Sequence, residues 1–352
     1  MPFKDVLKQP TFEEQRPRAA RLYPSGASLV DRYGKVQGGC NRSQWFRLMG
    51  YKKTEPNDFR GWANMGMGRA VEAEVIKQLK AAGRWIANSV KLYDPETNLS
   101  GEVDIIAVND DGMPVMIECK TFSGGNPYAR KEIMGAKGTT PKPKLYHVLQ
   151  LAIYLHIRER AVVRENPYAP YDREEVRDNL LICPYGVLLY VDRNEPNYTS
   201  EFRISVRNGS VCYRHESSTE VQLLCHMDDV LSRCSELMDH YHAKTVPPRD
   251  YQGQYDDDTL AEMYRLGNMT PRERQIYQDT GFLAKGDFWC RAQKDRTTGG
   301  YRGLYCDYWN RCRSVDDGTF VPEADLLAPF PGDDLDADEE IVTEATDDQP
   351  VL

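Results

Sequence analysis

The chain has 352 residues, 40% of them hydrophobic and 28% charged, enough to bury a sizeable core in one large domain or two small ones. Its formal charge of −9 argues against an anionic partner, but the charge is unevenly placed. No Lys or Arg follows Arg313, and residues 314–352 hold 13 of the 54 Asp and Glu; the remaining 41 face 45 Lys and Arg, about +4 for residues 1–313, which is compatible with phosphate contacts. No run approaches the ~20 apolar residues of a membrane span, and the opening Met-Pro-Phe-Lys-Asp lacks an apolar signal core. The expectation is a soluble, intracellular protein with no membrane partner. The nine cysteines are then thiols or metal ligands rather than disulfides.

In chain order, residues 1–25 are polar and punctuated by proline, and read as a loosely held arm. Ser28 to Tyr51 reads as two short helices, the second carrying Cys40 and Trp45. Residues 62–82 read as an amphipathic helix, with Met67, Val71, Val75, Ile76 and Leu79 on one stripe and Gly83 as its stop. Val103 to Val108 and Val115 to Cys119 are short β-branched runs around Asn109-Asp110-Asp111-Gly112, the composition of a hairpin turn. Residues 123–143, rich in Gly, Pro and Lys, read as a mobile loop, Tyr146 to Arg158 as a helix, and Leu180 to Val191 as a buried strand. A second hairpin is expected around Asn208-Gly209, from Phe202 to Arg214, then one long helix from Thr219 to His242, and mostly helical structure over 250–288. The acidic segment from 314 onward reads as a disordered, solvated tail. There is no internal repeat. This order predicts a mixed α/β fold with cysteine-bearing segments at both ends.

Side chains alternate along a strand, so Glu118 and Lys120 share one face while Ile117 and Cys119 are expected to point into the core. Asp104, from the paired strand, would bring two carboxylates and an ammonium together at the sheet surface. Such carboxylates are the hard oxygen ligands that Mg²⁺ or Mn²⁺ prefers, and a nearby lysine can orient a water or stabilise phosphate charge. Glu-x-Lys alone describes many surface salt bridges. An Asp within one apolar strand, a hairpin turn and then Glu-x-Lys closing a second strand is far more specific. Downstream, Gln150 and Tyr154 stand four residues apart and so share a helix face. Upstream, Glu72 and Glu74 cannot both face one metal.

Taken together these residues resemble the PD-(D/E)XK nuclease superfamily, and within it the RecB-like exonuclease branch with a four-cysteine iron–sulfur cluster, of the CRISPR-associated exonuclease type, phage-encoded members included. The resemblance spans residues 40–313 through short motifs. It implies an α/β, restriction-endonuclease-like core, a mixed sheet flanked by helices, with a cluster subdomain formed by both ends of the chain. The implied organisation is an arm (1–25), an N-terminal helical segment with the first cluster cysteine (26–61), the nuclease core (62–245), a helical and cysteine-bearing segment (246–313) and the acidic tail (314–352). The implied activity is Mg- or Mn-dependent hydrolysis of DNA, as an exonuclease at ends or on single strands, in repair, recombination, phage replication or CRISPR spacer acquisition.

The resemblance also assigns roles. Asp104 and Glu118, with Glu72 and the main-chain carbonyl of Cys119, would hold the metal, and Lys120 would position water or neutralise charge. Gln150 to Tyr154 matches the branch's Gln-x-x-x-Tyr motif. Family members carry Gly-x-x-x-His upstream; here Gly68 places Glu72 at that position, with Glu74 as the alternative. Cys40, Cys290, Cys306 and Cys312 match the cluster cysteines, ending in Cys-x5-Cys, although fifteen residues separate Cys290 from Cys306 where two are usual. A [4Fe–4S] cluster is expected, with Zn²⁺ as the rival for the same four thiols. Cys119 and Cys183 read as core strand residues, Cys225 and Cys234 as core helix residues, and His147 and His156 as ordinary helix residues. There is no Gly-x-x-x-x-Gly-Lys-Ser/Thr loop, so any unwinding would come from a helicase or recombination partner. Two other readings remain: a catalytically silent DNA- or nuclease-binding protein on the same fold, and a zinc-stapled interaction protein whose acidic tail mimics DNA.

Overall fold

The computed structural model describes residues 20–54, 59–123, 127–135, 140–253, 255–281, 301–303 and 306–322, with positions 283, 286, 287, 290, 292–294 and 326. The expectations for residues 1–19 and for most of 323–352 lie outside these. The N-terminal elements are a small hairpin, β1 (Ser28–Val30) and β2 (Val36–Gly38), then α1 (Asn41–Leu48) and the long α2 (Phe59–Ala81). An eight-stranded mixed sheet follows, built from β3 (Trp85–Asp94), β4 (Leu99–Val108), β5 (Pro114–Phe122), β6 (Val162–Val163), β7 (Gly186–Asp192), β8 (Thr199–Arg207), β9 (Ser210–His215) and β10 (Gln222–His226). Across the sheet the order is β10-β9-β8-β7-β5-β4-β3-β6. Only the β5–β7 pair is parallel; the others are antiparallel. The crossover between β5 and β7 carries α3 (Pro127–Met134), α4 (Leu145–Ile157) and α5 (Arg173–Leu181).

Helices cover both faces of the sheet. On one, α4 and α6 (Met227–His242) pack Leu149, Ile153, Val230 and Leu237 into the main core with Leu92, Met116, Leu188 and Phe202. On the other, Val75, Ile76 and Leu79 of α2 lie over a smaller cluster of Ile105, Ala107, Val115, Ile117 and Val187. Beyond the sheet come α7 (Asp257–Arg265), α8 (Pro271–Thr280), a short hairpin of β11 (Ala292–Lys294) and β12 (Tyr301–Gly303), and α9 (Trp309–Asp316). No helix among the described residues is long and apolar enough to cross a membrane.

Several elements differ from expectation for identifiable reasons. Ser28 to Tyr51 begins as a hairpin, because Asp31 Oδ1 accepts from the Tyr33 and Lys35 amides at 2.9 and 3.0 Å and closes a turn through Gly34. The run from Leu180 is split: Asp172 caps α5 by accepting from the Glu174 and Glu175 amides, the helix runs through Leu181, and the strand starts at Gly186. The long helix expected from Thr219 starts only at Met227. Gln222 to His226 pair with β9 instead, and a capping box between His226 and Asp229 begins the helix there. Cys225 is therefore a strand residue. Met67, expected on the buried stripe, is exposed. Part of the loop expected over 123–143 is α3; residues 124–126 and 136–139 lie outside the description. Leu22, expected in a loose arm, is buried and bonds through its backbone to Asn98 and Ser100 at 2.9 and 2.8 Å. The start of the acidic segment is also anchored. Asp316 pairs with Arg42 and Arg249, both at 2.6 Å, and Phe320 packs on Phe46 and Tyr51.

Candidate active site

The hairpin of β4 and β5 closes where Asn109 Oδ1 accepts from the Asp111 and Met113 amides, both at 2.9 Å, with Gly112 at φ 76°. From there the two strands pair as far as Ile105 and Ile117. Beyond that point they part. The sheet forks as β4 continues along β3 and β5 along β7. Asp104 stands in the fork, and its Oδ2 accepts from the Cys119 amide at 2.8 Å, replacing the ladder bond that the divergence removes. Glu118, expected at the sheet surface, is completely buried, on the face of β5 that Gln150 of α4 reaches. Its Oε1 pairs with Lys120 Nζ and accepts from Gln150 Nε2 at 2.7 Å. Its Oε2 is buried with no hydrogen-bond partner among the described residues. Ile117 lies in the smaller core beneath α2, while Cys119 is only half-buried and lines a cleft.

That cleft, about 600 Å³, is also lined by Glu72, Asp104 and Lys120. Burial, then Asp104, push the Glu118 carboxyl up to about 8, against the opposing pull of Lys120. Burial, then Asp104 and Glu102, push Glu72 up to about 7. Asp104 is raised by burial too, although Lys120 and the Cys119 amide oppose the shift. Burial works against the Lys120 charge, yet Glu118 and Asp104 together raise its pKa and keep it an ammonium. Three carboxylates thus crowd one cation. Glu74 is exposed and bonded to Lys77 and Gln78, both at 3.3 Å, so of the two upstream candidates only Glu72 belongs to the cleft.

Gln150 and Tyr154 share the α4 face turned to β4 and β5. Tyr154 is buried beside Gln150 and Glu102, with its pKa raised by burial and then by Glu118. Sequence reasoning missed several lining residues, among them Lys144, Tyr146, His147, Tyr190 and Arg193. Arg193 donates to Asn64 Oδ1 at 2.7 Å and joins α2 to the end of β7. His147, read from the sequence as an ordinary helix residue, belongs to the same wall.

The four cysteines singled out in the sequence lie near one another. Cys290 and Cys312 are buried; Cys40 and Cys306 are partly so. Burial, then Cys306 and Cys312, push the Cys290 thiol up to about 12. Cys40 is raised by burial and Asp250, with further contributions from Cys290 and Cys306. Arg42 donates to Cys312 Sγ at 3.6 Å; burial works against the Arg249 charge, yet the same sulfur lies close enough to raise that guanidinium's pKa. Among the described residues no group of three or more His, Cys, Asp or Glu is arranged as a ready-made metal-binding set, here or in the cleft.

No family model and no curated protein matches this chain. Among solved structures, the crystal structure of SSO0001 is similar over 70% of this chain and 83% of that one, at 14% identity and a TM-score of 0.31. A likeness that distant says nothing about what this chain does.

Proposed function

We propose that the chain is a divalent-metal-dependent DNA nuclease on a restriction-endonuclease-like core, of the RecB-like exonuclease kind, acting at ends or on single strands. The observation that carries this reading is the Glu118 carboxylate, completely buried beside Asp104 and Glu72 with Oε2 unpartnered among the described residues. A buried carboxylate is costly unless it is paired or coordinates a metal. Three crowded carboxylates, each with its pKa raised first by burial, suit a hard divalent cation better than any arrangement of protons. Asp104, Glu118 and Glu72, with the Cys119 carbonyl, would hold Mg²⁺ or Mn²⁺. Bound there, the cation supplies an acidified water and a polarised phosphate oxygen.

The chain's own groups do the rest. Gln150 fixes the Glu118 carboxylate by the hydrogen bond that its side-chain amide donates, and Tyr154, one turn on along α4, braces it by packing. Lys120, held as an ammonium by Glu118 and Asp104, orients the attacking water or balances the charge that develops on the phosphate. End-labelled DNA incubated with and without Mn²⁺ tests the reading. Wild-type protein should cut only with the metal, and Lys120→Ala should lose about two orders of magnitude or more in rate while still binding DNA. Metal-independent cutting, or undiminished cutting by Lys120→Ala, would overturn it.

The same reading extends to Cys40, Cys290, Cys306 and Cys312 as ligands of one [4Fe–4S] cluster in a subdomain made from both ends of the chain. The Arg42 guanidinium donates to Cys312 Sγ, the kind of outer contact that orients a ligating sulfur. Protein purified without oxygen should be brown and contain iron and sulfide. Stoichiometric zinc with no iron would replace the cluster by a zinc site and leave the nuclease reading intact.

A further inference from the structure

Tyr190, on β7, is almost fully buried beside the cleft, and its hydroxyl has two hydrogen-bond partners. The Lys144 amide donates to it at 2.9 Å, and His147 Nδ1 lies 2.8 Å away. A backbone amide can only donate, so the hydroxyl oxygen accepts there. The single hydroxyl proton has one acceptor among the described residues, and that is His147 Nδ1. This leaves the imidazole proton on Nε2. Burial, then Lys120 and Lys144, hold the His147 pKa well below its usual value, so the ring stays neutral. Nε2 has no hydrogen-bond partner among the described residues, and the ring lines the same cleft as Lys120, Asp104 and Glu72.

We propose that His147 is a phosphate-binding residue of this site, its Nε2–H donating to a non-bridging phosphate oxygen beside the Lys120 ammonium, and that Tyr190 is the positioning residue that holds the imidazole in that tautomer. This rests on the nuclease reading and adds a residue to it. The surroundings select an anion. Lys120 and Lys144 are the charges that act on the ring, and His147 is the third residue of α4, whose first turn presents backbone amides and the positive end of the helix dipole. A neutral donor adds a directed hydrogen bond without placing a further cation against Lys120. Tyr146, stacked edge-on against the imidazole at 4.3 Å between ring centroids, limits where the ring can turn.

The test uses the full chain, a fluorescein-labelled single-stranded oligonucleotide read by anisotropy in Ca²⁺, and the same strand digested in Mn²⁺. His147→Leu should weaken binding about tenfold or more, the scale of a lost hydrogen bond to a charged group. His147→Gln, whose amide can reach the place of Nε2, should recover to within about threefold of wild type. Spectra of ¹⁵N-histidine-labelled protein should show the Nε2–H tautomer in wild type and a mixture in Tyr190→Phe. If His147→Leu fails to fold, the Gln variant and the wild-type spectrum still decide. Binding by His147→Leu equal to wild type, or an Nδ1–H tautomer in wild type, would overturn the assignment while leaving the nuclease reading standing. Wild type that binds the strand in a His147-dependent way but cuts nothing in Mg²⁺ or Mn²⁺ would keep this contact and remove the nuclease. Wild type that neither binds nor cuts would remove both.

Discussion

Replacing Glu118 by Gln keeps the shape of the buried end of β5 and removes its charge. In metal-free protein the raised pKa values of Glu118 and Glu72 mean that the folded state binds more protons than the unfolded state between the ordinary carboxylate range and about 8. The stability these groups contribute is therefore complete below the unfolded pKa and is lost as pH rises through about 7 to 8. Wild type stripped of divalent ions should melt lower at pH 8.5 than at pH 6. Glu118→Gln should flatten that slope and melt at least about 2 °C above wild type at pH 8.5, measured by calorimetry. A steeper slope in the variant would show that Glu118 is not the strained group. At this scale much could be read from the sequence: Asp104, Glu118, Lys120, Gln150 and Tyr154 follow from spacing along strands and a helix. Depth could not. Alternation says which face Glu118 takes but not that the fold buries it there, and His147 acquires its role only from a tyrosine that the fold brings from β7.

Helix α4 rests directly on two strands because both offer glycine beneath it. A Cβ at Gly101 of β4 would lie 2.6 Å from the Tyr154 hydroxyl, and one at Gly186 of β7 would lie 2.7 Å from Leu151 Cγ. Either alanine substitution overpacks the interface, at a cost of about 1–3 kcal/mol. The consequences should differ. Gly101→Ala displaces Tyr154 and with it Gln150, so cleavage should fall further than the loss of stability explains. Gly186→Ala presses on an aliphatic side chain and should act mainly on the melting temperature. Equal effects on activity from the two would count against Tyr154 as the brace. Elements with local punctuation were legible: the hairpin at Asn109 to Gly112, the helix stop at Gly83 and the turn at Asn208-Gly209 are where composition puts them. The misread segments differ in cause. Leu180 to Val191 carries its breaker, Pro184 and Gly186, where the helix gives way to the strand, but the apolar residues on both sides hide it. Thr219 to His242 holds no Gly or Pro, and pairing with β9 decided where its strand ended.

At the scale of the molecule, the segment from Arg42 to Tyr51 meets the segment from Cys312 to Pro322 outside the sheet. Arg42 of α1 donates to Cys312 and pairs with Asp316 of α9, and the Tyr51 hydroxyl donates to the Pro322 carbonyl. A chain cut after Arg313 leaves the buried Arg42 guanidinium without its part-exposed carboxylate, which costs about 1–3 kcal/mol. It should melt about 5 °C or more below a chain cut after Leu326, which keeps all of these contacts. Identical melting curves would show the seam to be incidental. The parallel pairing of β5 with β7 has a different consequence, in the order of assembly. Such a pair cannot close through a tight turn, so the chain must first lay down the whole crossover, and α4 is part of it. The strand that bears Glu118 and Lys120 and the helix that bears Gln150 and His147 therefore dock in the same late event that joins the two halves of the sheet. In refolding from denaturant, oligonucleotide binding should return with the rate constant of the slowest tertiary phase. The chain would then expose no half-built cleft before its central strands have met.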